Sequence, residues 1–198
     1  LRFEIVSGSA AVLLDRDGVL NELAPDPRSG ALESPLAPAE VSLLPGAAAA
    51  AVRLAEAGYI LACVSNQPAA AKGIVSVAEL LAVHERVIEL LAREGAVLAA
   101  TRLCLHHPQG VVPALAGPCS CRKPAPGMLL DAAASLGLDL SASWMVGDTD
   151  ADVGAGRAAG CRTLLIEHAG SDHKRRSGIQ PDLRAADLAG AADLLLGA

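Results

Sequence analysis

Aromatic residues are almost missing from this chain: one Phe, one Tyr and one Trp in 198 residues, although 52% of the residues are hydrophobic. The interior therefore has to be packed from Leu, Val and Ala. Long apolar runs are missing too, and Arg2 and Glu4 interrupt the beginning of the sequence. Neither a membrane helix nor a signal peptide is expected, and the expected location is cytoplasmic. Basic charge is scarce, with a net charge of -6. That excludes an extended nucleic-acid surface and leaves any anion site to local cations and a metal. The five cysteines form an odd set, and three crowd into a short window, which reads as a metal site and not as a disulfide framework. Cys63 and Cys161 flank predicted strands and read as core thiols.

A chain of this length fits one domain, residues 1–198, able to bury a substantial core. Short apolar runs at 10–14, 59–64, 102–105, 144–146 and 163–166 alternate with segments long enough for helices, which reads as an α/β fold with a parallel sheet. Helices are predicted over 47–57, after Pro45-Gly46; over 77–93, capped by Ser76; over 126–136, closed by Gly137; and over 150–159, closed by Gly160. A last helix near 185–196 is expected to cover an edge of the sheet. Residues 22–40 carry four prolines and read as one long irregular loop, a kind of segment often functional inside a compact domain.

Asp15-Arg16-Asp17-Gly18 follows the first apolar run directly. In extended chain, side chains at i and i+2 share a side, and glycine lets the backbone turn sharply beyond them. Asp15 and the carbonyl of Asp17 can then hold one hard cation such as Mg2+. Asp15 can attack phosphorus to give an aspartyl-phosphate, while Asp17 protonates the departing alkoxide and then deprotonates water. Alone, the motif also fits a strand followed by an Asp-rich turn. In an open parallel sheet, ligands bind beyond the carboxyl ends of the strands. There the sequence also places Ser65-Asn66-Gln67, Arg122-Lys123 and Gly147-Asp148-Thr149-Asp150-Ala151-Asp152. Hydroxyl, amide, ammonium and carboxylate thus collect at one rim.

These four motifs resemble those of the haloacid-dehalogenase (HAD) superfamily of aspartate-nucleophile phosphatases, over nearly the whole chain. The resemblance implies a Rossmann-like, doubly wound sheet, with Asp15 as nucleophile, Asp17 as acid and base, Ser65 as a donor to a phosphate oxygen and Lys123 as the ammonium that balances transition-state charge. It also implies Mg2+ held by Asp15, the Asp17 carbonyl and Asp148, with Asp152 supporting that shell. No insertion is long enough for a separate cap domain, so the expected partner is a small phosphorylated metabolite. Asn66, Gln67, Lys72 and Arg122 are the candidates for binding it. No nucleic-acid or membrane partner is expected, and the protein is expected to be a monomer.

Cys104-Leu105-His106, twelve residues, then Cys119-Ser120-Cys121 supplies three thiolates and an imidazole, enough for a closed structural Zn2+ site in the loop 104–121. His107 competes with His106 as ligand, and the family resemblance favours His106. The run from these cysteines into Arg122-Lys123-Pro124 is similar to the branch that holds heptose bisphosphate 7-phosphatases and histidinol-phosphate phosphatases, with Ser65 through Gly73 closer to the heptose enzymes. The 22–34 segment departs from them in its prolines and lack of an aromatic residue. A basic cluster at 167–177 has two readings, a solvated loop or an attractor for a second phosphate. The rival class of function is a zinc-stabilised binding protein on an inactive phosphatase fold, which would need a broken motif.

Overall fold

The computed structural model describes residues 8–26 and 28–197; Arg2 and Glu4 lie outside them. Eight strands and five helices follow in chain order: β1 (Ala11–Leu14), β2 (Ala24–Pro25), β3 (Leu32–Glu33), α1 (Ala47–Glu56), β4 (Ile60–Asn66), α2 (Val77–Arg93), β5 (Ala100–Cys104), α3 (Gly127–Leu136), β6 (Trp144–Gly147), α4 (Asp150–Ala159), β7 (Arg162–Ile166), β8 (Leu183–Ala185) and α5 (Leu188–Leu196). Six strands form one sheet in the order β5-β4-β1-β6-β7-β8, with every neighbouring pair parallel.

Alternation along the central strands sorts their side chains between two faces. Val12 and Leu14 of β1, Leu61 and Cys63 of β4, and Trp144 and Val146 of β6 join a core with α1, α2 and α5. Leu13, Ala62, Val64 and Met145 turn to the other face, where Met128, Leu129 and Ala132 of α3 and Ala155 of α4 meet them together with Cys161. Because both faces are covered, β1 is buried throughout, as expected for a parallel strand between helical layers. The chain leaves β1 for β4 on one side and pairs it with β6 on the other, so the order reverses at β1. The crevice of such a sheet opens beyond that strand.

Helix ends follow local chemistry. Ser76 Oγ accepts from the Glu79 amide at 3.2 Å, and the Glu79 carboxylate accepts from the Ser76 amide at 2.7 Å, a reciprocal cap that starts α2. Among the described residues no helix is long and apolar enough to cross a membrane.

Four expectations need correction. The 22–40 segment is not one irregular loop: β2 and β3 pair antiparallel within it, and a single 3-10 turn spans Pro38–Glu40. Each of these strands is two residues long, too short for a periodic signal. The strand expected at 102–105 runs instead over Ala100–Cys104 as β5, and its place at the edge of the sheet leaves it only partly buried. Ala185 ends a sixth strand, β8, and does not start the last helix. That helix, α5, lies on the face beside α1, with Leu188, Ala191 and Ala192 in the same core as Ala47 and Ala51, and leaves the edge to β8.

Candidate active site

Asp15 emerges at the end of β1, its amide donating to the Val146 carbonyl of β6 at 2.9 Å. Three donors meet its Oδ1: the Arg16 amide at 2.7 Å, Ser65 Oγ at 2.6 Å and Lys123 Nζ at 3.0 Å. These fix the carboxyl's rotation with one oxygen held. Burial, reinforced by the Asp152 and Asp17 carboxylates, raises the Asp15 pKa above the usual range, against the pull of Lys123 and Ser65.

Lys123 sits on the loop before α3 yet is 3% exposed. Its ammonium donates to the Val64 carbonyl at 2.7 Å and pairs with Asp152 at 2.6 Å as well as with Asp15. Burial opposes that charge, but the two carboxylates outweigh it and raise the pKa. Asn66 anchors the loop: its amide accepts from the Lys123 amide and donates to the Lys123 carbonyl, both at 3.0 Å. Asp152 has a second task, because its other oxygen accepts from the Thr149 amide at 3.0 Å and Thr149 Oγ1 at 2.5 Å, capping α4. A Cβ at Gly147 would collide with that carboxyl, so glycine is required where β6 ends.

Asp148, next in the chain, has Oδ2 accepting from Ser171 Oγ and a buried Oδ1 with no hydrogen-bond partner among the described residues. Burial and the Asp15 and Asp152 carboxylates push its pKa up to about 8. Ligand oxygens of Asp15, Asp148 and Asp152 lie within 4.8 Å of one another. With Asp152 committed to Lys123 and Thr149, Asp15 and Asp148 remain as the carboxylates able to hold a hard cation, and oxygen ligands at this spacing fit Mg2+. Gly18, at φ 79°, turns the chain tightly past this point, and a side chain there would overlap the Asp148 carboxylate.

Asp17 points into a different network. Its carboxylate accepts from Arg16 (3.0–3.1 Å), Asn21 Nδ2 (2.9 Å), Ser34 Oγ (2.8 Å) and Gln67 Nε2 (2.6 Å). Burial works against its ionisation, but the Arg16 guanidinium and those hydrogen bonds hold its pKa below the ordinary value.

Above these groups opens a cleft of about 400 Å3 lined by Asp15, Asp17, Ser65, Lys123 and Asp148, and further out by Lys72, Arg122, Arg28 and Lys174. The cations differ in how they are engaged. Arg28 is paired with Asp26 at 2.7 Å and Lys174 with Glu33 at 2.8 Å, whereas Lys72 and Arg122 have no ion pair among the described residues. The basic cluster at 167–177 divides likewise: Arg175 donates to the carbonyls of Asp148 and His168 and pairs with Asp172, Arg176 is exposed, and only Lys174 of the cluster lines the cleft.

Cys104, His106, Cys119 and Cys121 come together with ligand atoms within 4.8 Å of one another. His107 is outside this group, and its Nδ1 accepts from the Gln109 amide at 3.1 Å. Arg122 Nη1 donates to the His106 carbonyl at 3.2 Å, which ties the cluster to the rim.

Arg16, Asn21, Ser34 and Ser171 were not anticipated as parts of the site. Arg16 carries a readable signal, since a charge between two carboxylates at a strand end must turn toward the interior and find a partner there. Ser34 and Ser171 carry none, because they arrive from distant segments.

The known proteins most informative about this arrangement are phosphatases. A HAD-hydrolase-like family model matches residues 120–191. A D-glycero-D-manno-heptose-1,7-bisphosphate 7-phosphatase of Thermosynechococcus vestitus is 40% identical over 191 residues, 92% of this chain and 93% of that protein. A D-glycero-beta-D-manno-heptose-1,7-bisphosphate 7-phosphatase of Rhodopseudomonas palustris is 37% identical over 79% of this chain and 83% of its own length. The crystal structure of D,D-heptose 1,7-bisphosphate phosphatase from B. bronchiseptica, complexed with magnesium and phosphate, superposes with a TM-score of 0.79 at 32% identity, covering 95% of this chain and 98% of that one. With a six-stranded parallel sheet, an aspartate pair at the end of its central strand and relatives of this identity along nearly its full length, the chain belongs to the HAD superfamily of phosphatases.

Proposed function

We propose that the protein is a Mg2+-dependent phosphomonoesterase that removes the 7-phosphate of D-glycero-D-manno-heptose 1,7-bisphosphate through an aspartyl-phosphate on Asp15. The observation that carries the chemistry is the placement of Lys123 against Asp15, with the unpartnered Asp148 carboxylate beside them. The relatives that are heptose bisphosphate phosphatases support the substrate.

In this reading Asp15 is the nucleophile, oriented by its three donors. Ser65 and Lys123 are already in place to pass their hydrogen bonds to a phosphate oxygen as the bond to phosphorus forms, so little reorganisation is left for the transition state. Mg2+ held by Asp15, Asp148 and the Asp17 carbonyl would screen the phosphate charge when bound. Asp17 serves as acid and base. The resting carboxylate is held ionised, and the arriving phosphate, a further negative charge, pushes it back toward the protonated form.

Lys72 and Arg122, the unpaired cations of the cleft, are proposed to receive the second, non-reacting phosphate. Asn66 and Gln67, which line the cleft, are proposed to contact substrate from amides that also hold Lys123 and Asp17. The paired Lys174 and the inward-turned Arg175 leave the 167–177 cluster a minor part in phosphate attraction.

The Cys104, His106, Cys119 and Cys121 cluster is proposed to hold a structural Zn2+. Its sulfur separations of 2.9, 3.3 and 3.6 Å approach the roughly 3.8 Å edge of a tetrahedron built on Zn–S bonds of about 2.3 Å. Such a closed site would fix the loop that delivers Lys123. Thiolate ligation of this kind requires reduced cysteines, which is consistent with the cytoplasmic location proposed here.

Initial rates on the two anomers of heptose 1,7-bisphosphate, fructose 1,6-bisphosphate and histidinol phosphate test the substrate. The heptose bisphosphate should give the highest kcat/KM and release one phosphate. A higher kcat/KM for histidinol phosphate would replace this substrate with that one.

A further inference from the structure

Arg16 is the largest wholly buried side chain among the described residues, at 0% exposure, and nothing in the reaction outlined above uses it. Its Nε and Nη2 both donate to Asp17 Oδ1, at 3.1 and 3.0 Å, and Nη2 also reaches Asp17 Oδ2 at 3.1 Å and Gln67 Oε1 at 2.9 Å. Gln67 closes the figure by donating from Nε2 to Asp17 Oδ2 at 2.6 Å and to Ser65 Oγ at 3.1 Å. Asp17 is therefore part of a ring of three side chains, Arg16 and Asp17 from the segment after β1 and Gln67 from the residue after β4.

Stability alone does not account for this arrangement. A buried guanidinium is expensive to desolvate, and an apolar side chain of similar volume often packs in such a place at no loss. Here part of the cost is left uncompensated, since Arg16 Nη1 has no partner among the described residues. The return is geometrical. A planar fork bonded to both oxygens of a carboxylate fixes its rotation as well as its position, which a lysine's point charge does not. Gln67 then links that orientation to Ser65, which touches the nucleophile.

We infer that Arg16 is a positioning residue for proton transfer: it aims the Asp17 carboxyl at the oxygen that leaves phosphorus. This rests on the acid and base role proposed for Asp17. In the first step the Asp15–phosphorus bond forms as the phosphorus–alkoxide bond breaks, and the proton on Asp17 passes to the alkoxide to give the free alcohol. In the second, water attacks phosphorus, gives a proton to Asp17, and the Asp15–phosphorus bond breaks to release phosphate. Misplacement of an acid costs most when the leaving group needs its proton. An alkoxide needs it; a nitrophenolate leaves without it.

The experiment compares kcat/KM on a sugar phosphate and on p-nitrophenyl phosphate for the wild type, Arg16→Met, Arg16→Lys and Asp17→Asn, with circular dichroism to establish that each variant is folded. General acid catalysis is worth about 10^2 to 10^4 in rate, so Asp17→Asn should lose at least about tenfold more on the sugar phosphate than on the aryl ester. Arg16→Met should show the same selective loss, and Arg16→Lys a smaller one of the same kind. Should Arg16→Met fail to fold, Arg16→Lys decides. Equal losses on the two substrates for a folded Arg16 variant, beside a selective loss for Asp17→Asn, would overturn the positioning role and leave the acid intact. Absence of selectivity in Asp17→Asn itself would remove the acid role and this inference with it.

Discussion

Asp152 meets Lys123 at 2.6 Å where each side chain is 1% exposed, so the ammonium that also pairs with Asp15 is held by a second, buried carboxylate from α4. Loss of Lys123 removes one preorganised charge from the reaction, and Lys123→Ala should reduce kcat by roughly 10^2 to 10^3. Asp152→Asn should reduce kcat through the same ammonium, so the double variant should fall well short of the product of the single losses. Steady-state rates for the four proteins of this cycle check it; fully multiplicative losses would mean that the two residues act separately.

As a proposed Mg2+ ligand, Asp148 should link pH to metal binding. Its pKa in the metal-free fold is raised to about 8, above the unfolded value near 3.8, so between those limits the folded chain binds the extra proton. Its contribution to stability is full below the unfolded pKa and is lost as pH rises through about 8. Mg2+ needs the ionised carboxylate, so its binding should tighten as pH rises toward 8, with uptake of about one proton by the buffer. Calorimetric titration with Mg2+ at several pH values, in buffers of different ionisation enthalpy, measures both effects. Asp148→Asn should bind Mg2+ weakly at every pH; a wild-type affinity independent of pH would refute the linkage.

The thiol cluster should hold about one Zn2+ per chain through an EDTA treatment that strips Mg2+ and stops turnover. Structural zinc in small peptides is worth about 10–16 kcal/mol. Cys119→Ser or Cys121→Ser should accordingly lower thermal stability and reduce activity indirectly, by loosening the loop that carries Lys123. Elemental analysis of protein purified without chelator provides the check, and protein devoid of zinc would remove the assignment.

Much of this was legible in the sequence because the informative residues sit at fixed places on regular elements. Apolar runs that stop after Leu14, Val64 and Val146 mark the ends of β1, β4 and β6 to within two residues, and the caps at Ser76, Gly137 and Gly160 follow simple backbone rules. Asp15, Ser65, Lys123 and Asp148 could be placed at one rim for that reason. The β2–β3 hairpin could not be read, since two-residue strands have no periodicity and its role depends on contacts made far away: Ser34 on Asp17 and Glu33 on Lys174. Nor could the division of the cations be read, because whether an arginine is free or paired is decided by what the fold brings to it. The same limit applied to Asp152, which the family resemblance placed in support of the Mg2+ shell and which the fold engages with Lys123 and Thr149.

The most direct measurement on the account as a whole is the turnover of Asp15→Asn with Mg2+ present. An amide is a poor nucleophile and a weaker metal ligand, so kcat should fall by a factor on the order of 10^4 or more in a protein whose circular dichroism matches wild type. A kcat within about tenfold of wild type, in a range that peripheral groups alone can produce, would contradict an aspartyl-phosphate on Asp15.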